Sequence, residues 1–75
     1  MGYYTVESGA SKKIFFTAFS MSMAKEFCIE KLRKSPKARL MICKGIYVKY
    51  DVYRLGKDII FNNRDTGVEK TITVF

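Results

Sequence analysis

The chain has 75 residues, of which 48% are hydrophobic and 28% charged, with a formal net charge of +7, two cysteines and no histidine. Residues 1–75 read as a single small α+β domain, short enough that only about 60% of the unfolded surface is buried on folding. The longest apolar runs, Ile14-Phe15-Phe16 and Leu40-Met41-Ile42-Cys43, are far too short for a bilayer. No basic segment followed by an apolar one opens the chain, so neither a membrane span nor a signal peptide is expected. Val6 stands where N-myristoylation wants Ser or Thr.

In chain order, Tyr3–Glu7 reads as a short strand and Ser8-Gly9-Ala10-Ser11 as turn material. Lys13–Phe19 reads as a second strand, antiparallel to the first. Its alternation puts Ile14, Phe16 and Ala18 on one face and Phe15 and Phe19 on the other. A strand apolar on both faces suggests a central position or an interface, with burial under the domain's own helix favoured.

Ser20–Lys34 is the one helix. Met21, Ala24, Phe27, Cys28 and Leu32 fall on one stripe at helical spacing. Ser20 or Ser22 caps its start, Glu30 precedes Lys34 by four positions, and Pro36 ends it by about Lys34. Lys31, Arg33 and Lys34 crowd the last turn, where they complement the negative end of the helix dipole.

A third strand covers Ala38–Cys43 and a fourth Ile46–Leu55. In the fourth, Ile46, Val48, Tyr50 and Val52 alternate with Tyr47, Lys49, Asp51 and Tyr53, so one face is apolar and the other mixes aromatic and charged groups. A three-residue loop, Cys43-Lys44-Gly45, pairs Ile42 with Ile46 and Leu40 with Val48, and keeps the apolar residues together. Val48, Tyr50 and Val52 are then expected under the helix, with Arg39, Met41, Tyr47, Lys49 and Tyr53 on the opposite face. Gly56-Lys57 has Gly first, the signature of a type II′ turn, and pairs Leu55 with Asp58, Tyr53 with Ile60 and Val52 with Phe61. A fifth strand runs Asp58–Asn62. A last strand runs Val68–Phe75, with Val68, Ile72 and Val74 inward and Glu69, Thr71 and Thr73 outward.

The expected order is β-β-α-β-β-β-β: a twisted, mostly antiparallel sheet or half-barrel with one helix on one face. The other face is left to solvent, to its own curvature or to a partner.

Catalytic chemistry is hard to place on this chain. It has no His to act as a base near neutral pH and no Gly-rich phosphate loop, since Gly45, Gly56 and Gly67 stand singly in turns. Asp51, Asp58, Asp65 and Glu69 read as structural acids rather than Mg²⁺ ligands. Cys28 and Cys43 lie fifteen positions apart without a Cys-x-x-Cys pair, which argues against zinc. They read as two small buried hydrophobes in a reduced, cytoplasmic setting, with a disulfide as the alternative. No cofactor, no metal and no turnover are expected.

The positive signal is charge. Lys25–Lys57 holds ten basic residues and three acids, so it carries the whole net charge. Interleaved with aromatics, this places a binding surface on Arg33, Lys34, Lys37, Arg39, Tyr47, Lys49 and Tyr53. Its partner is an acidic protein surface or nucleic acid, and not a membrane. Known nucleic-acid modules fit poorly, because an RNA-recognition motif needs two helices and a double-stranded RNA-binding domain ends in one. The reading leans to a protein-binding inhibitor or adaptor, the job of a small phage-encoded anti-defence or host-takeover protein. The alternative is a nucleic-acid-binding module using the same face. A homodimer through the Phe15/Phe19 face or through edge strands stays open.

Overall fold

A computed structural model describes residues 2–73. Its elements are β1 (Tyr4–Ser8), β2 (Ile14–Ala18), α1 (Met21–Lys34), β3 (Arg39–Lys44), β4 (Tyr47–Leu55), β5 (Asp58–Asn63) and β6 (Glu69–Thr73). The six strands form one open antiparallel sheet in the order β2-β1-β3-β4-β5-β6. The expected α+β class and element order are both present, as an open sheet rather than a half-barrel. β2 and β3 both run antiparallel to β1, hence parallel to each other, and parallel strands need a long crossover. The 14-residue helix supplies it.

The helix begins where Ser20 accepts a hydrogen bond on Oγ from the Met23 amide at 3.2 Å. That bond satisfies one of the backbone donors that an N-terminus leaves open. At the other end the Ser35 amide donates to the Lys31 carbonyl at 2.8 Å. Glu30 pairs with Arg33 at 3.6 Å, one position short of the expected Lys34. Ala24, Cys28 and Leu32 pack into a buried core with Val6, Ala18, Leu40, Ile42, Val52, Ile59 and Phe61. Each large aliphatic or aromatic side chain so buried contributes about 1.5–3 kcal/mol.

Two β-bulges change the expected faces. The first lies in β2, where Val6 pairs with Phe16 but Glu7 pairs with Ile14, leaving Phe15 as the extra residue. An extra residue breaks the two-residue alternation. Phe15 and Phe16 therefore both pack against the core, under Lys31 (4.5 Å from the Phe15 centroid) and against Phe27 (centroids 4.6 Å apart). Ile14 and Phe19 are 56% and 75% exposed. β2 is an edge strand, not a central one, and Phe15 and Phe19 do not share a face.

The second bulge is in β4. Lys44 pairs with Tyr47, Cys43 with Val48, Ile42 with Tyr50 and Leu40 with Val52, so Lys49 is the extra residue. The expected pairs Ile42–Ile46 and Leu40–Val48 are not formed. The turn is Gly45-Ile46, with Gly45 at φ +64, a conformation that glycine adopts without the clash a Cβ brings. Turn and core make separate demands. A glycine-first two-residue turn sets Lys44 against Tyr47, whereas burial of Leu40, Ile42, Tyr50 and Val52 under the helix requires a phase one residue different. The bulge at Lys49 absorbs the difference. Val48 consequently faces away from the helix beside Cys43, and Ile46 leaves the strand altogether.

The β4–β5 hairpin matches expectation: Leu55 pairs with Asp58, Tyr53 with Ile60 and Val52 with Phe61, around Gly56 at φ +60. In β6, Ile72 packs on the core while Thr71 and Thr73 pair with Ile60 and Asp58 on the far face. Val68 was expected inward but precedes β6 and is 63% exposed. Val74 lies outside the described residues.

Candidate binding surfaces

The face away from the helix follows from the pairing. It carries Thr5 and Glu7, Arg39, Met41 and Cys43, Val48, Asp51 and Tyr53, then Asp58, Ile60 and Asn62. This face is not basic. Glu7, Asp51, Asp58 and Glu69 all lie on it, and neighbours engage each one. Thr5 donates to Glu7 at 2.8 Å, Arg64 to Asp51 at 2.9 Å, Thr73 to Asp58 at 2.7 Å and Tyr53 to Glu69 at 3.4 Å. The Arg39 guanidinium lies over the Tyr53 ring, 4.7 Å from its centroid. Tyr53 is the cross-strand partner of Ile60, which is only 7% exposed although no helix covers it.

The seven residues expected to form one surface are thus divided. Arg39 and Tyr53 share the helix-free face. Arg33 and Lys34 end the helix and Lys37 follows in the link to β3, at one end of the sheet. Tyr47 and Lys49 stand at the opposite end, on the far side of the bulge. The pairing brings Tyr53 beside Arg39, but it separates both from Tyr47 and Lys49.

At that second end Tyr47 and Lys49 line a depression of about 520 Å³ with Tyr3, Lys44, Gly45 and Ile46. Its large side chains are open to solvent: Ile46 is 89% exposed, Tyr47 66% and Tyr3 52%. The Lys44 ammonium lies 5.5 Å from the centroid of the Tyr4 ring, and Lys49 bonds Asp65 at 3.2 Å. On the other side of the tip, Gly45 and Ile46 also border a depression of about 420 Å³ that reaches Glu7, Lys12, Cys43 and Arg64. The hairpin tip is a ridge between two hollows, with Ile46 on its crest.

Sequence reasoning missed Tyr3, Lys44 and Ile46. The available signal was Gly45-Ile46, which has the same glycine-first form as Gly56-Lys57. Reading both pairs by one rule would have put Ile46 in a turn.

The two thiols lie on opposite sides of the sheet. Cys28 is on the helix stripe, and Cys43 pairs with Val48 on the other face, so they form no disulfide. Burial pushes the Cys28 thiol up to about 12. Burial, reinforced by the Glu7 carboxylate, pushes Cys43 up to about 11. Protonated thiols are poor nucleophiles and poor metal ligands. Among the described residues no group of three or more Cys, Asp or Glu side chains is placed to hold a metal ion, and no helix is long and apolar enough to cross a membrane.

Compared with known proteins, the chain matches no family model, no curated protein and no solved structure.

Proposed function

We propose that this chain is a non-enzymatic binding protein, an inhibitor or adaptor, whose β3–β4 hairpin tip docks on an acidic surface of a protein partner. One observation carries the reading: Ile46, at 89% exposure the most open of the large apolar side chains among the described residues, sits on a turn flanked by exposed Tyr47 and Tyr3. Contiguous exposed apolar and aromatic side chains are what protein interfaces bury, and Tyr supplies much of the energy at small entropic cost. Lys44 and Lys49 border the same depression and favour a carboxylate-bearing partner.

A second reading, a nucleic-acid-binding module, draws on the same Tyr and Lys side chains, since unpaired bases stack on such rings. Ile46 favours the protein, because an aliphatic side chain offers no ring for a base to stack on.

The test is affinity capture from the producing cells, with and without nuclease, using the wild-type chain and an Ile46→Ala/Tyr47→Ala variant. A partner that survives nuclease and is lost with the variant supports the proposal. Measured on that partner, Tyr47→Ala should cost about 2 kcal/mol or more, as a buried anchor does. Nuclease-sensitive partners that are also lost with the Ile46→Ala/Tyr47→Ala variant would transfer the tip to the second reading, whereas nuclease-sensitive partners that the variant keeps do not bear on the tip.

A further inference from the structure

The opposite end of the sheet has a different chemistry. Three segments are tied together there. The Gly9 amide donates to the Arg39 carbonyl at 2.8 Å, which fixes the β1–β2 turn against the start of β3. Arg54 donates to the Leu32 carbonyl at 3.2 Å and to the Gly56 carbonyl at 2.8 Å, which fixes the β4–β5 turn against the end of the helix. The first segment carries Lys13, the second Lys34 and Lys37, and the third Lys57, all exposed. Among the described residues the ion pairs take up Arg33, Lys49 and Arg64, and these four lysines join none of them. Of the nearby carboxylates, Glu30 pairs with Arg33, while Asp58 accepts a hydrogen bond from Thr73 and keeps its charge on the helix-free face.

We propose that this end is a sequence-independent docking surface for the phosphate backbone of a duplex nucleic acid. Four cations presented from three separate segments, against the single uncompensated carboxylate of Asp58, match a row of phosphates rather than a single anion. Helix-dipole compensation accounts for Lys34 but not for Lys13, Lys37 or Lys57, which lie off the helix. The choice of a duplex rests on the aromatic rings. Toward this end the Tyr53 ring lies under Arg39 and the half-buried Phe15 ring under Lys31, so neither face is open to stack on an unpaired base. Binding here reads phosphate and carries no base specificity. The surface is separate from the hairpin tip, so this inference and the proposed protein docking stand or fall independently.

The experiment is fluorescence anisotropy of the whole chain with unrelated DNA duplexes of about 20 base pairs at about 50 and 200 mM salt, where counterion release is large. Binding should be sequence-independent, with log K falling against log salt at a slope of roughly −3.6 for about four phosphate contacts. Lys34→Glu, Lys37→Glu and Lys57→Glu should each weaken all duplexes alike and reduce the slope by about 0.9, the change for one lost phosphate contact. Far-ultraviolet circular dichroism checks that each variant folds, and all three positions are exposed. Ile46→Ala/Tyr47→Ala should bind duplex as the wild type does. Three results would overturn the proposal: no duplex binding at low salt, unchanged binding in all three folded lysine variants, or a preference for single strands that disappears with Tyr47→Ala. Equal retention of polyglutamate under the same conditions would also overturn it, since that marks a surface for acidic polypeptide.

Discussion

The two ends of the sheet are built from similar parts and expose opposite chemistry. Each has a two-residue turn with glycine first, Gly45 at φ +64 and Gly56 at φ +60. After Gly45 comes Ile46, beside exposed tyrosines. After Gly56 comes Lys57, beside the basic end of the helix. In a glycine-first turn the second residue is held out from both strands. Its side chain therefore adds little to folding, and its identity decides what that end offers a partner. Between the ends, the carboxylates of the helix-free face are hydrogen-bonded by their own neighbours, and the proposed binding surfaces are the ends.

Both ends depend on the core beneath them, and the largest expected effect lies there. Phe61→Ala, at a side chain 1% exposed, should cost about 3–5 kcal/mol, and Leu32→Ala, at one fully buried, about 2–5 kcal/mol, measured by urea unfolding. Either change should weaken tip and basic end together. A folded variant that lost one function and kept the other would break the idea of a shared frame.

The thiols test the core from the chemical side. Burial pushes the Cys28 thiol from its ordinary 9.0 up to about 12. Above pH 9 the unfolded chain releases this proton and the folded chain retains it, so the unfolded state binds fewer protons and stability falls as pH rises. The contribution is complete below pH 9 and is lost between about 9 and about 12. Cys28→Ala should flatten that fall in a pH series of unfolding midpoints. An unchanged slope would show that other groups cause it.

The glycines separate the ends. Gly45→Ala and Gly56→Ala should each cost about 1–2 kcal/mol, the penalty of a left-handed L-residue, because an added Cβ meets nothing within 4 Å at either site and only the backbone objects. Gly45→Ala should also impair tip docking alone, and Gly56→Ala duplex binding alone. Crossed effects would mean that the ends communicate.

The smallest effect concerns the face between them. Asp51→Asn removes the pair with Arg64 at 2.9 Å, whose side chains are 33% and 50% exposed, and should cost only about 0.2–1 kcal/mol in a double-mutant cycle. A larger value would show that this face contributes more to stability than its exposure suggests.

Much of the architecture is legible in the residues. The helix stripe Ala24, Cys28, Leu32, the serine cap, the stop before Pro36 and the Gly56-Lys57 hairpin register are all local signals, and each is present. Local signals suffice where propensity, periodicity and turn chemistry agree. The candidate site was only partly legible, because it depended on whether alternation continues unbroken along β4, and periodicity assumes that it does. The bulge at Lys49 arises from two demands that act at a distance, the turn at Gly45 and the packing of Tyr50 and Val52 under a helix 16 or more positions earlier in the chain. Composition determined a basic chain, and the order of its residues determined an α+β domain with an amphipathic helix. Only the tertiary structure decided that Phe15 turns inward, that Tyr47 and Tyr53 part company and that the lysines of three segments gather at one end. Bulges and chain crossings depend on the balance of contacts between residues far apart in sequence, and no single window of residues contains that balance.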